Sequence, residues 1–250
     1  MPFCLFDGWV RAWLDLALPP ACAACEAPVS GPAALCSACD AALPRLAAPL
    51  APPAPLAVCV AAVEFRGASE AWIHRFKYPA PGLAGLDPGA LAVAQAWIAE
   101  AGVRAEGPPD LVVPVPLHPR RLRQRGFNPA GLLAAAAARA CGAPADPTAL
   151  VRLRDTPSQT GLDRRQRRAN VRGAFAARRP VPARVWLVDD VVTTGSTLAE
   201  AARALRRAGA RRVIGVCAAS TPEPPSRVYG SSGGWLWRGL RSGAWGRPAS

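Results

Sequence analysis

Apolar residues along the chain fall into short continuous runs that alternate with longer segments in which they recur every three or four residues. The short runs are typical of buried strands, and the longer segments are typical of helices that bury one face. The predicted strands are Val58–Phe65, Leu111–Val115, Ala149–Leu153, Val185–Val188 and Arg212–Ala219, and the predicted helices are Ala68–Phe76, Ala90–Ala101, Asn128–Ala140 and residues 194–208. This alternation predicts an α/β fold with a mostly parallel sheet, whose ligands bind beyond the carboxyl ends of the strands.

The segment that follows the strand Val185–Val188 has the composition of a sugar-phosphate site. Two aspartates come first, and a turn of small residues then leads into a helix, whose N-terminal N–H groups attract phosphate. The carboxylates repel phosphate but accept hydrogen bonds from ribose hydroxyls, directly or through Mg²⁺. A capped polar turn would explain Ser196 or Thr197, but not two adjacent acids at a strand end. The catalytic candidates are Asp189 and Asp190, and the phosphate-binding candidates are Thr193, Thr194, Gly195, Ser196 and Thr197.

Four of the eight cysteines have the spacing C-x2-C-x10-C-x2-C. Two such pairs supply the four thiolates of a tetrahedral structural zinc site, with no open coordination position. A module this small cannot build an adequate core alone, so we expect its folding to depend on the metal. The predicted ligands are Cys22, Cys25, Cys36 and Cys39, whereas Cys4, Cys59, Cys141 and Cys217 lie in apolar segments and are predicted to be buried thiols.

Two polar segments rich in arginine are expected to face the same crevice. The first follows the strand Leu111–Val115, and its His118 could transfer a proton or simply lie on the surface. The second, Arg154–Gly173, is long enough to be a loop that closes over a ligand. Lys77, the only lysine, follows a helix and could contact phosphate or have a structural role. The candidates are Leu117, His118, Pro119, Arg120 and Arg121 in the first segment, and Arg164, Arg165, Arg167 and Arg168 in the second.

Length and charge limit the function classes. The 250 residues suffice for one α/β domain and a small appendage, and the net charge of +13 suits a polyphosphate or a nucleic acid equally. No run of 18 apolar residues occurs, so we expect a cytoplasmic protein without membrane insertion. The predicted organisation is an N-terminal helix with the zinc module (1–45), a linker rich in Pro and Ala (46–57), the α/β domain (58–221) and a disordered tail rich in Trp and Arg (222–250).

The segment VWLVDDVVTTGSTL resembles the signature with which type I phosphoribosyltransferases bind 5-phosphoribosyl diphosphate (PRPP). Together with PVPLHPRRLRQRGFNPA, RRQRRANVRGAF and the cysteine module, it is similar to the ComF family of late-competence proteins. The resemblance implies a type I phosphoribosyltransferase-like fold with a zinc-ribbon-like module, and binding of PRPP with Mg²⁺. It also implies that Leu117–Arg121 binds the diphosphate, that Arg154–Gly173 forms a hood, and that the protein has a role in DNA uptake and contacts the uptake machinery.

Three hypotheses follow for the function. The first is phosphoribosyl transfer, for which the sequence does not identify an acceptor. The second is an accessory protein that binds single-stranded DNA through its arginines and uses the fold as a scaffold. The third is a regulator that senses PRPP without turnover. The first predicts that Asp190→Asn abolishes turnover, whereas the second predicts that substitutions of Arg165 and Arg167 weaken DNA binding.

Overall fold

This computed structural model describes residues 20–29, 33–78, 86–155 and 164–221. The predicted N-terminal helix and the predicted tail, residues 222–250, lie outside the described residues. Within the described ranges, no helix is both long and apolar enough to cross a lipid bilayer.

A four-stranded parallel sheet forms the centre of the α/β domain, with the strand order β1-β6-β5-β2. Strands β3 and β4 form a separate antiparallel pair. The strands are β1 (Val58–Glu64), β2 (Leu111–Pro114), β3 (Leu150–Arg152), β4 (Phe175–Ala177), β5 (Arg184–Val192) and β6 (Arg212–Ser220). The helices are α1 (Ser37–Ala41), α2 (Ala68–Lys77), α3 (Pro88–Val103), α4 (Pro119–Arg125), α5 (Pro129–Cys141), α6 (Arg164–Val171) and α7 (Ser196–Arg207). The predicted α/β fold with a mostly parallel sheet is confirmed.

Helices cover both faces of the sheet and explain why its strands are apolar throughout. On one face, Trp97 of α3 and Leu133 of α5 pack in the same cluster as Trp186 of β5. On the other face, Leu198 of α7 packs in a second cluster with Phe175 of β4. Because β1, β5 and β6 lie side by side in parallel, their carboxyl ends meet at one edge of the sheet.

Strand β5 is longer than its apolar run predicts. The prediction ended the strand at Val188 and put the two aspartates after it, but pairing with β6 continues through Asp189, opposite Cys217, and Val191, opposite Ala219. Backbone hydrogen bonds to a neighbouring strand do not depend on side-chain polarity, so hydrophobic patterning could not detect this extension. The acidic pair therefore belongs to the last part of β5, where the strand holds both residues in place.

The two predicted loops also contain helices. In the first, Pro119 opens α4 at a helix position where its missing N–H costs nothing, and Gly126 ends the helix with φ of +82°. In the second, residues 164–171 form α6, and β4 then pairs with β3. The prediction treated both segments as loops because neither has an apolar stripe of helical spacing.

The segment predicted as a linker, residues 46–57, packs on the domain. The Leu46 N–H donates to the Ala62 carbonyl at 2.9 Å, and the Leu50 N–H donates to the Cys59 carbonyl at 2.8 Å. Just before it, Arg45 forms ion pairs with Asp40 of α1 and with Glu100 of α3. The cysteine module is thus attached to the domain by ion pairs as well as by the chain.

Candidate functional site

The predicted phosphate turn lies at the start of α7, beyond the carboxyl end of β5. Gly195 precedes the helix with φ of +68°, a left-handed conformation that favours glycine. The hydroxyl groups of Thr194 and Ser196 are 2.9 Å apart, and Ser196 is only 5% exposed. Thr197 follows in the first turn of the helix, and Thr193 precedes the turn. The hydroxyls and the helix N-terminus therefore present several hydrogen-bond donors within one turn of chain.

A segment from elsewhere in the chain closes against this turn. A Cβ atom added at Gly195 would overlap with Cγ of Pro53 and lie 3.0 Å from its Cβ. Beside this contact, a cleft of about 820 Å³ has Pro53, Thr194, Ser196 and Gly173 among its lining residues. Glycine at position 195 thus satisfies two requirements, the left-handed backbone and the close approach of Pro53.

The acidic pair is held by backbone groups and by a lysine. Oδ1 of Asp189 accepts the N–H of Asp190 at 2.9 Å, and Oδ1 of Asp190 accepts the N–H of Val191 at 2.6 Å. Nζ of Lys77, the last residue of α2, lies 2.8 Å from the same Oδ1 of Asp190. The sequence leaves open whether Lys77 contacts phosphate or has a structural role. In the structure, Lys77 forms a direct ion pair with the acidic pair.

The environment of Asp189 changes its acidity strongly. Burial, and then the negative charge of Asp190, raise the pKa of Asp189 to about 7, although Lys77 and Arg152 act in the opposite direction. A carboxyl group with this pKa exchanges its proton near neutral pH. Such groups are more common at functional sites than elsewhere, since a proton donor or acceptor works best near the ambient pH.

The diphosphate-loop candidates lie at the end of β2. Nδ1 of His118 accepts the N–H of Arg120 at 3.4 Å and so caps α4. Asp155 follows β3 and lies 3.6 Å from His118 Nδ1, 3.5 Å from Arg120 and 3.9 Å from Arg121. An Nδ1 atom that accepts a backbone N–H carries no proton, so the cap and a charged His118–Asp155 pair exclude each other. Leu117 precedes this histidine, and Pro119 is the first residue of the short helix.

Arg152 connects the diphosphate-loop candidates to the acidic pair. This last residue of β3 is buried, which lowers its pKa, and the positive charge of Arg121 acts in the same direction. The charges of Asp189 and Asp155 oppose the shift. Arg152 therefore shares the electrostatic environment of the diphosphate-loop candidates and of the acidic pair, and its positive charge offsets part of the charge of the two carboxylates.

The predicted hood begins and ends on the β3–β4 pair. The Leu153 N–H donates to the Ala174 carbonyl at 2.8 Å, and Nη1 of Arg154 donates to the Arg172 carbonyl at 2.7 Å. Buried Glu200 of α7 accepts the N–H of Gly173 at 2.9 Å and so fixes the base of the hood to the helix that opens with the phosphate turn. The hood candidates Arg164, Arg165, Arg167 and Arg168 lie on α6, and their side chains lie outside the described part of the chain.

The four predicted zinc ligands form one cluster. Their Sγ atoms all lie within 4.8 Å of one another, and those of Cys25 and Cys36 are 3.6 Å apart. A tetrahedral zinc ion with Zn–S bonds of about 2.3 Å needs sulfur separations of about 3.8 Å. Hydrogen bonds with the neighbouring thiols, first Cys25, raise the pKa of Cys39 to about 12, whereas the backbone N–H of Cys36 lowers that of Cys22 to about 6. The cluster fits a structural zinc ion, whose charge would relieve the crowding of thiolates.

One oxygen of the acidic pair is poorly placed to hold a magnesium ion. Mg²⁺ needs oxygen ligands in nearly octahedral geometry. Oδ1 of Asp190 already accepts a backbone N–H and the Lys77 ammonium group, and a cation at this oxygen would face the charge of Nζ. Direct coordination of Mg²⁺ by Asp190 Oδ1 is therefore disfavoured.

The structure brings three predicted groups together around the carboxyl edge of the sheet. These groups are the acidic pair, the phosphate turn and the diphosphate-loop candidates. Sequence reasoning missed Asp155, Arg152 and Pro53 and left the role of Lys77 open. Asp155 lies two residues after the predicted strand Ala149–Leu153, so a search for acids just beyond strand ends could have found it. Nothing in the local sequence indicates that Arg152 or Pro53 reaches the site.

Two family models match separate parts of the chain. Residues 176–232 match the family model of the phosphoribosyl transferase domain, and residues 13–52 match that of the double zinc ribbon domain. This second range contains four cysteines and no histidine, enough for one zinc site.

Homologous proteins align with nearly half of the chain. DNA utilization protein YhgH from Escherichia coli O157:H7 is 44% identical over 114 residues, 45% of this chain and 50% of that protein. Competence protein F from Haemophilus influenzae is 38% identical over 109 residues, 42% of this chain and 48% of that protein. The chain thus spans about half the length of these relatives. The structure of the allosteric regulatory enzyme of purine biosynthesis aligns with 58% of this chain and 30% of its own, at 22% identity and a TM-score of 0.39.

Proposed function

We propose that this chain, a homologue of the ComF-family competence proteins over about half of their length, binds PRPP at the carboxyl edge of its parallel sheet. The observation that carries the proposal is that one strand and the helix after it join the acidic pair to the phosphate turn. Both features fall within residues 176–232, the range that matches the phosphoribosyl transferase domain. Binding of a phosphoribosyl compound at this edge follows from the chemistry of the two features together.

Each part of the ligand has a group of matching chemistry. The N–H groups and hydroxyls at the start of α7 would bind the 5-phosphate, and Asp189 and Asp190 would accept hydrogen bonds from the ribose hydroxyls. Arg121 and buried Arg152, which act on each other electrostatically, would supply positive charge for the diphosphate. Mg²⁺ would enter as the counter-ion of the ligand's diphosphate, since the acidic pair already holds the Lys77 ammonium group.

We extend the proposal to phosphoribosyl transfer. An acceptor nucleophile would form a bond to C1 of the ribose as the bond from C1 to the diphosphate oxygen breaks, and the acceptor would lose a proton. The arginines would stabilise the negative charge on the departing diphosphate, and the hood would exclude water from an oxocarbenium-like transition state. The measurement for this step is diphosphate release from bound PRPP when an acceptor is added, and Asp190→Asn is expected to abolish it.

Calorimetry tests the binding proposal directly. Zinc-loaded wild-type protein is titrated with PRPP and Mg²⁺ beside an Asp189→Asn/Asp190→Asn variant. The matched control is Asp110→Asn, because Asp110 accepts the N–H of Arg184 at 2.9 Å at the opposite end of β5. We expect micromolar binding by the wild type and the control, and none by the double variant. No binding by the wild type would overturn the proposal.

Binding of single-stranded DNA is the second candidate function. It is favoured by the exposed arginines Arg120 and Arg123 on α4, by the net charge of +13, and by the names of the relatives, which refer to DNA utilization and competence. Such binding would weaken steeply with salt. In fluorescence anisotropy with a labelled oligonucleotide, Arg123→Ala should weaken DNA binding, whereas Asp190→Asn should not. Equal loss in both variants would mean that DNA occupies the acidic site itself.

A further inference from the structure

The ion pair between Lys77 and Asp190 is half-buried. Nζ lies 2.8 Å from Oδ1, and the two side chains are 21% and 13% exposed. A pair at this depth is screened by salt less than a surface pair. The N–H of Val191 fixes the same oxygen at 2.6 Å, so the carboxylate of Asp190 has a defined orientation.

Two adjacent carboxylates at a site for a phosphate ester create an electrostatic problem. Each repels the other and the incoming phosphate. Proteins solve this with a proton, a bound divalent cation or a cationic side chain. Here, the ammonium group of Lys77 lies beside Asp190, Arg152 acts on Asp189 from β3, and the raised pKa of Asp189 leaves that carboxyl group partly protonated near neutral pH. A divalent cation at the pair would have to approach within the repulsive field of Nζ.

We infer that Lys77 is the built-in counter-ion of the acidic pair: a positioning residue that orients Asp190 toward ribose hydroxyls and keeps divalent cations off the pair. The ribose part of this inference rests on the proposed function, but the exclusion of cations does not. Two consequences follow. Ribose 5-phosphate, which lacks the diphosphate, binds without a divalent cation, and removal of the lysine charge converts the pair into a cation site.

The experiment uses the zinc-loaded full chain in buffers freed of other divalent cations without a soluble chelator, so that the cysteine cluster keeps its metal. Mn²⁺ is titrated into wild type, Lys77→Met and Lys77→Arg, and free Mn²⁺ is followed by electron paramagnetic resonance. Arg75→Met is the matched control, since Arg75 lies on the same helix but pairs with Asp87. Ribose 5-phosphate is then titrated into each protein with and without Mn²⁺.

We expect Lys77→Met to bind Mn²⁺ about tenfold more tightly than wild type, the effect of about one pKa unit of interaction. Lys77→Arg and Arg75→Met should behave as wild type, and Asp190→Asn in the Lys77→Met background should remove the gained site. Ribose 5-phosphate should bind wild type equally with and without Mn²⁺ and bind Lys77→Met only with it.

Three results would overturn the inference. The first is tight binding of Mn²⁺ by wild type at a site that Asp190→Asn removes, and the second is unchanged Mn²⁺ affinity in a folded Lys77→Met variant. The third is that wild type binds ribose 5-phosphate only when Mn²⁺ is present. This result involves no variant, so a folding defect cannot explain it. This third result would overturn the role of Lys77 but not the proposed function, because the sugar phosphate would still bind. Failure of wild type to bind ribose 5-phosphate or PRPP at all would overturn the proposed function, while the Mn²⁺ titrations would still decide the role of Lys77.

Discussion

Gly195 at the start of α7 is the position where a single methyl group should do the most damage to the phosphate turn. We consider the change Gly195→Ala. The residue has φ of +68° and ψ of 6°, and the added Cβ would overlap with the ring of Pro53. Backbone strain and the steric clash should therefore add, and the chain offers a way to separate them.

Gly142, at the end of α5, supplies the reference for backbone strain. Its φ of +70° and ψ of 18° nearly match those of Gly195, and an added Cβ would have no neighbour within 4 Å. A left-handed conformation costs a residue other than glycine about 1–2 kcal/mol, so Gly142→Ala should lose about that much stability. Overpacking costs a further 1–3 kcal/mol or so, and Gly195→Ala should therefore lose about 2–5 kcal/mol.

The free energy of unfolding is measured in guanidinium chloride for both alanine variants, for Pro53→Gly and for the Pro53→Gly/Gly195→Ala double variant. Without the proline ring, Gly195→Ala should cost only as much as Gly142→Ala. The difference between the cost of Gly195→Ala with Pro53 and its cost in the Pro53→Gly background is the coupling energy of a double-mutant cycle. PRPP affinity should fall in Gly195→Ala and remain unchanged in Gly142→Ala. Equal losses in the two single variants, or a loss at Gly195 that persists without Pro53, would refute the contact between the two segments.

Three other predictions concern the zinc cluster, the acidic pair and the base of the hood. Cys36→Ser should lower the zinc content and abolish protection from hydrogen exchange in the cysteine module, because the remaining thiolates cannot complete a tetrahedral site. Burial raises the pKa of Asp189 from 3.8 to about 7, so the folded state binds the extra proton. The free energy of unfolding should therefore fall as the pH rises between these values and then level off, and Asp189→Asn should flatten that dependence. The Glu200 carboxylate binds both the N–H of Gly173 and the side chain of Arg203. Glu200→Ala should therefore lower the free energy of unfolding by about 2 kcal/mol and speed amide exchange at Gly173, and Glu200→Gln should have a smaller effect.

The parts of the site that sequence predicts well are those made by neighbours along the chain. The apolar run before Asp189, the small residues around Gly195 and the periodicity of α7 all lie within one continuous segment. Its elements form locally and keep their order in the fold, so pattern and spacing are sufficient. The cysteine cluster is predictable for a related reason, since two short pairs can close on one ion without knowledge of the domain.

The parts that sequence could not predict are pairs formed across the fold. Lys77 reaches Asp190 because α2 ends at the carboxyl edge of the sheet. Asp155 reaches His118 from the chain that follows β3, a strand outside the main sheet. Neither of these long-range contacts produces a periodic pattern in the sequence. The extension of β5 is similar, since it depends on a partner strand and not on the residues of β5 themselves.

The contact between Pro53 and Gly195 also bears on how the two parts of the chain act together. Arg45 pairs with both the cysteine module and α3, and the segment after it is held to β1 by hydrogen bonds from Leu46 and Leu50. Pro53 then rests on the phosphate turn only a few residues later. The cysteine module and the phosphate turn are thus linked by a segment that packs on the α/β domain along the way. The requirement for glycine at position 195 thus has a cause outside the turn, in the packing of a segment whose Pro- and Ala-rich composition predicts a linker.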